Sequence, residues 1–198
     1  MTVTGKILRR IQRKGRGNVF TARDFIDIGA SRAAVDQTLS RLTHRGVLRR
    51  LRRGLYDYPK ASKWLGVLSP SPDAVAGALA RQTGSKIQIS GARAANMLGL
   101  TDQVPAKLVY VTDGPSRNVR IGNQHIVLRH ASNRNLTGLG RSTGTVIQAL
   151  RYLGKDRVKK DSIRQLRNML TNKQKKDIRR DILVGPDWIR KVVEQIAA

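Results

Sequence analysis

The sequence predicts an α+β chain in two parts, and three observations predict it. Within residues 1–60 apolar residues recur first at helical spacing and then at strand spacing. From residue 61 onward helix-like and strand-like patterns are intermixed, and residues 161–197 read as helix alone. The chain has 198 residues, room for one large domain or a small one plus a medium one, and a hydrophobic fraction of 39%, enough for a real core. At this length roughly 70% of the unfolded surface can be buried.

In the first part, Thr2 or Thr4 is placed to cap a helix whose apolar positions include Ile7, Leu8 and Ile11. Lys14-Gly15-Arg16-Gly17 ends it. Val19 and Phe20 form a short apolar pair suited to a minor strand beside a later hairpin. Thr21 is an N-cap for a helix carrying Phe25, Ile26 and Ile28, with Gly29 at its end. Ser31 caps the next helix, where Val35, Leu39 and Leu42 fall at i, i+4 and i+7 and make one core-facing stripe. Gly46 ends that helix. Val47, Leu48 and Leu51 form one hairpin arm, Arg53-Gly54 the turn, and Leu55, Tyr56 and Tyr58 the return arm. Helix, tight turn, helix and basic hairpin over residues 21–58 is the order of a winged helix-turn-helix, a module that sets one helix in the major groove of DNA.

Residues 59–72 hold three of the six prolines and read as a linker or the first turn of a second domain. Trp64, Leu65, Val67 and Leu68 make it a packed segment rather than one free in solvent. The domains are therefore 1–60 and 61–198. In the second, Ser71 or Asp73 opens a small-residue helix ending near Arg81. Lys86–Ser90 alternates as a strand, and residues 91–98 form a short helix stopped by Gly99. Lys107–Thr112 is a strand, and Arg117–Ile121 and His125–Arg129 flank a Gly122-Asn123 hairpin turn. After a glycine-rich stretch, Thr145–Leu153 is helical. Helices follow at about 161–170, 172–184 and 187–197, divided by Thr171 and Gly185-Pro186.

Charge narrows the partners. The formal net charge is +26, which repels itself unless an anion neutralises it. Nucleic acid is the usual one, with an anionic membrane second. No apolar run approaches the roughly 20 residues that span a bilayer, so no membrane partner is expected. No basic start leads into an apolar core with a cleavage site, which argues against secretion and for the cytoplasm. The chain has no cysteine, so disulfides, thiolate metal sites and cysteine nucleophiles are excluded. Residues 1–60 hold 15 Lys and Arg against 4 acids, and residues 151–198 hold 14 against 6, so two basic ends flank a less charged middle.

The helix from Ser31 is the leading site. A recognition helix needs an apolar face for docking and a polar face for base edges and phosphates. Ser31, Arg32, Gln37, Ser40 and Arg41 supply the donors and acceptors, and His44 lies within reach of a phosphate. The alternative is an amphipathic helix with a solvated face. In the hairpin, Arg49, Arg50, Arg52 and Arg53 crowd around Leu51, and a wing on the phosphate backbone or in the minor groove would neutralise them. The alternative is an edge strand guarded by charge. Gly138–Thr145 precedes a helix and resembles an anion loop. It lacks the Walker ending and the GxGxxG spacing, so a loop with a helix cap is preferred. His44, His125 and His130 have no metal-site spacing, the 13 acids form no paired cluster, and no cofactor or metal is expected. A basic helical zone from Lys159 to Arg180 reads as a second nucleic-acid surface, a docking face for an acidic partner, or a solvated face.

Four segments together suggest a family: GVLRRLRRGLYDYP after the helix-turn-helix, then ISGARAANMLGLTDQVPA, then YVTDGPSR, then STGTVIQALRYLG. Over residues 5–155 the chain resembles the AbiEi-type antitoxins of type IV toxin–antitoxin systems. The resemblance implies an N-terminal winged helix that represses its own operon at promoter inverted repeats. It also implies a second domain that counters a co-encoded AbiEii-type, nucleotidyltransferase-like toxin, with or without direct binding. On this chain the DNA role falls on Ser31–Arg45 and Arg49–Arg53. The antitoxin role falls on the second domain, with Ser90, Asn96, Arg117 and Arg141 as candidates.

The expected function is thus a DNA-binding autorepressor and antitoxin with no enzyme activity of its own. One rival is an RNA- or ribosome-binding basic protein. Another is a nucleotide-dependent modifier of the toxin acting through Gly138–Thr145 and Ser90. The sequence leaves the oligomeric state open.

Overall fold

A computed structural model describes residues 2–132, 135–182 and 186–198. The architecture is mixed α+β, with helices and several small sheets. The chain divides into two compact units: residues 1–85 with 120–124, and residues 86–119 with 125–198.

In the first unit, α1 (Val3–Lys14) is capped by Thr2, whose side chain accepts from the Gly5 N–H, and it closes at Gly15. Ile7 and Ile11 are fully buried. β1 (Val19–Phe20) pairs antiparallel with β3 (Leu55–Asp57), so the minor strand read from Val19-Phe20 is present. β3 pairs in turn with β2 (Arg49–Arg52), giving the sheet order β1-β3-β2.

The helix expected from Thr21 is a 3-10 helix over Ala22–Ile28, not an α-helix. Seven residues is a long run for that geometry, and it is opened by Thr21, whose N–H and hydroxyl both donate to the Asp24 carboxylate. Phe25 and Ile28 turn into the core, whereas Ile26 is 63% exposed. Gly29 takes the left-handed conformation that ends it. α2 (Arg32–His44) buries Val35, Leu39 and Leu42 as its spacing predicts, together with Thr38, whose hydroxyl donates back to the Ala34 carbonyl.

Residues 59–72 do not pack as their apolar content predicts. They form a small hairpin, β4 (Ala61–Ser62) and β5 (Gly66–Val67), with Trp64 93%, Leu65 77% and Val67 58% exposed. Two residue pairs are too few to cover a large side chain, and the tip turns through Lys63-Trp64-Leu65 into solvent. α3 (Pro72–Thr83) then packs within this same unit. Arg81 donates to the Val19 carbonyl and pairs with Asp24, and Gln82 donates to the Gly54 carbonyl at 3.1 Å. These bonds carry the compact unit on to Ser85, past the boundary drawn at residue 60.

The second unit joins a helical layer to most of a four-stranded sheet, residues 120–124 at the β8–β9 turn being counted with the first unit. β6 (Ile87–Ile89), β7 (Leu108–Thr112), β8 (Arg117–Ile121) and β9 (Gln124–His130) lie in the order β6-β7-β9-β8. β6 runs antiparallel to β7, and β9 runs parallel to it with Leu108 opposite Ile126. The helices are α4 (Gly91–Met97), α5 (Ser142–Leu153), α6 (Lys160–Met169), α7 (Asn172–Asp181) and α8 (Asp187–Ala197). Ala94, Ala95 and Ala149 are small and fully buried where α4 and α5 meet the core. α8 contributes Ile189, Val193 and Ile196 at i, i+4 and i+7, all fully buried. The end predicted for α7 at residue 184, and Gly185 after it, lie outside the described residues.

Candidate nucleic-acid interface

α2 lays its polar residues on one edge. Gln37, Ser40, Arg41 and His44 stand at i, i+3, i+4 and i+7 and are all exposed, opposite the buried stripe. Ser31 and Arg32 are exposed as well, but each has a structural task. The Ser31 hydroxyl accepts from the Ala34 N–H at 3.2 Å, and Arg32 Nε pairs with Asp36 at 3.0 Å. Gln37, Ser40, Arg41 and His44, with no side-chain hydrogen bond or ion pair among the described residues, offer an amide, a hydroxyl, a guanidinium and an imidazole along about two helical turns, the chemistry that reads base edges and phosphates. Arg45, exposed just beyond, extends the basic end.

The hairpin separates its four arginines. Arg50, Arg52 and Arg53 are exposed and make no ion pair among the described residues. A bulge between Arg50 and Arg52 sets Arg50 opposite Tyr56 and Arg52 opposite Leu55, with Leu51 half-buried. Arg49, grouped with the other three by sequence, is turned inward. It holds Asp57 through Nε–Oδ1 at 3.0 Å and Nη2–Oδ2 at 2.6 Å, and Nη2 also donates to the Leu68 carbonyl at 2.9 Å. Asp57 is 1% exposed. The hydrogen bond to Asp57 raises the Arg49 pKa above its already high ordinary value, against a smaller opposing effect of burial. Its Nε and Nη2 are committed to the fold, unlike the guanidiniums of Arg50, Arg52 and Arg53.

Sequence reading missed a basic stripe on α1. Lys6, Arg9, Arg10 and Arg13 also stand at i, i+3, i+4 and i+7, and with Asp27 and Ile28 they line a concavity of about 330 Å³. Lys6 donates to the Ile28 carbonyl, and Arg10 donates to the Asp24 carbonyl and pairs with Asp27. Arg9 and Arg13 are exposed with no ion pair among the described residues. The same periodicity that identified the apolar stripe would have revealed this one.

In the second unit the four antitoxin candidates do not converge. Ser90 precedes α4, and its N–H donates to the Val109 carbonyl. Asn96 donates to the Thr101 carbonyl at 3.1 Å. Arg117 lines a concavity of about 440 Å³ with Lys107, His125 and Arg129. Arg141 pairs with Asp181, which also accepts from the Thr143 hydroxyl at 2.7 Å, and this ties the start of α5 to the end of α7.

The glycine-rich loop is likewise committed internally. Gly140 N–H donates to the Gln88 side-chain oxygen, Arg141 N–H to the Gly138 carbonyl, and Gly144 N–H to the Arg141 carbonyl. These bonds take up three of the loop's N–H donors, and the arrangement is a loop closing on a helix start that no side chain among the described residues caps. His125 and His130 fall on opposite faces of β9 by strand parity, and His130 Nδ1 lies 3.0 Å from the Gly114 carbonyl. Among the described residues no group of three or more His, Asp or Glu could hold a metal ion, and no helix is long and apolar enough to cross a membrane.

Residues 6–178 match the model of a family of unknown function, DUF6088. No curated protein matches the chain.

Proposed function

The chain belongs to the DUF6088 family, and we propose that this member is a DNA-binding transcriptional repressor, with its first unit as a winged helix-turn-helix. The observation that carries the reading is the edge of α2, where Gln37, Ser40, Arg41 and His44 stand exposed opposite the core stripe. The order α1, β1, 3-10 helix, α2, β2, β3 and the sheet β1-β3-β2 support a winged helix. In this reading α2 enters the major groove. Arg50, Arg52 and Arg53 follow the phosphates from the β2–β3 hairpin, and Arg9 and Arg13 add backbone contacts from α1.

The second half of the proposal is an antitoxin role against a co-encoded AbiEii-type toxin, without chemistry of its own. It rests on the resemblance carried by SGARAANMLGL, QVPA and VTDGPSR. The binding half is tested by titrating the protein against the promoter upstream of its own gene, a shuffled duplex of equal composition and tRNA, over a range of salt. The promoter duplex binds tightest, and each neutralised phosphate adds about 0.9 to the log–log salt slope. Equal affinity for promoter and shuffled duplex removes the repressor. Tighter binding of tRNA replaces it with an RNA-binding protein.

A further inference from the structure

The β4–β5 hairpin exposes a large aromatic side chain almost completely. A tryptophan gains on the order of a few kcal/mol when its surface leaves water. At Trp64 and Leu65 that gain is forgone side by side. One exposed apolar residue needs no explanation, but a contiguous group at a projecting tip does.

The tip is also built. The Ser62 hydroxyl accepts from the Trp64 and Leu65 N–H groups at 3.3 Å each, which satisfies the turn backbone from within. Gly66 supplies the positive φ of 66° that the turn requires. At the base, Leu68 N–H donates to the Lys60 carbonyl at 2.8 Å, and the Leu68 carbonyl accepts from Arg49, the residue that grips Asp57. Arg16 closes the other side, donating to the Pro59 carbonyl while its guanidinium lies over the Tyr58 ring. The finger is therefore fastened to β3, the strand that pairs with the arginine-bearing β2.

Its charge selects the occupant. No acidic residue occurs between Asp57 and Asp73, whereas Lys60 and Lys63 flank the tip and are exposed. A flat apolar side chain between two cations complements stacked bases between phosphates. A second copy of a chain with net charge +26 would bring like charge to the tip.

We propose that the β4–β5 hairpin is a second DNA-contacting finger, in which Trp64 and Leu65 wedge against base steps of a duplex while Lys60 and Lys63 meet its phosphates. This rests on the DNA-binding reading above and adds to it a contact outside α2 and the β2–β3 hairpin. A wedge of this kind unstacks and bends the duplex rather than reading base edges.

The chain has two tryptophans, and the other, Trp188, is half-buried in α8. Trp188→Phe therefore leaves Trp64 as the sole reporter. Mixed-sequence duplex added at low salt should quench Trp64 emission and shield it from acrylamide. Trp64→Ala should lower duplex affinity about tenfold and leave the unfolding midpoint unchanged. If a gel shift shows duplex binding while Trp64 emission and shielding stay constant and Trp64→Ala binds as tightly, the finger is wrong and the reading of α2 stands. If neither protein binds duplex, both fall. A blue shift confined to phosphatidylglycerol vesicles would make it a membrane finger instead. A blue shift that grows with protein concentration alone would make it a self-association contact.

Discussion

Arg49 and Asp57 face each other across β2 and β3, and Arg49 donates two hydrogen bonds to the Asp57 carboxylate, with Asp57 buried and Arg49 still in part exposed. Removing one partner of such a pair leaves a carboxylate in the interior without its counter-charge. That costs about 3–5 kcal/mol for a fully buried pair. Arg49 keeps 36% of its side-chain exposure, so Arg49→Ala should cost about 3 kcal/mol in urea unfolding, the lower end of that range. Arg50→Ala, at the next residue but facing solvent, should change stability by less than about 0.5 kcal/mol. Equal unfolding free energies for the two variants would contradict the assignment of Arg49 to the fold.

If the chain binds DNA as proposed, Arg50 contributes to binding rather than to the fold. Arg50→Ala should weaken binding to all duplexes alike and reduce the salt slope by about 1. Gln37→Ala and Arg41→Ala, on the exposed edge of α2, should instead narrow the gap between promoter and shuffled duplex. Each bidentate base contact is worth about 1–3 kcal/mol of discrimination. Competition gel shifts at two salt concentrations separate these patterns. A uniform loss for all three variants would reduce α2 to a phosphate contact.

The exposed Arg10–Asp27 pair should give the first unit a small response to acid. The hydrogen bond from Arg10 holds the Asp27 carboxyl below its ordinary range, against a smaller opposing effect of burial. A carboxyl with a depressed folded value contributes stability above its unfolded value, about 4, and loses it as pH falls through the folded one. Wild type should therefore melt above Asp27→Asn at neutral pH. The two Tm values should converge below about pH 4. A constant Tm difference across that range would assign the effect to packing rather than charge.

The local rules of the chain were legible because they depend on neighbours in sequence. Thr2 caps α1, Val19-Phe20 pairs with β3, and Val35, Leu39 and Leu42 are buried, each as spacing and capping predict. Arg49 could not be told from Arg50 by residue type, because its partner Asp57 lies on the next strand and Leu68 beyond the turn after it. Trp64 was misread for the opposite reason. Hydrophobicity predicts burial only where enough chain surrounds the residue, and a hairpin of two residue pairs provides none. The basic stripe on α1 was present in the sequence at helical spacing and needed only a count of charge by the period already used for apolar residues. Ser90, Asn96, Arg117 and Arg141 followed from resemblance, and family likeness carries no information on which of them share a pocket.

The glycine-rich loop offers a stability test that separates close packing from backbone conformation. A Cβ at Gly144 would lie 2.2 Å from the Gly138 carbonyl oxygen and 2.7 Å from the Gln88 side-chain oxygen. Neither neighbour can move away cheaply. The Gly138 carbonyl accepts from the Arg141 N–H, and Gln88 is held by Gly140 N–H and by its own bond to the Thr145 hydroxyl. Overpacking of this kind costs about 1–3 kcal/mol, and a backbone obstacle puts Gly144→Ala at about 3 kcal/mol. Gly140 has a positive φ of 75° but open space where a Cβ would go, so Gly140→Ala should cost only the left-handed penalty, about 1 kcal/mol. Thermal unfolding of both variants decides the matter. A larger loss at Gly140 than at Gly144 would mean that the loop does not close on α5 as described.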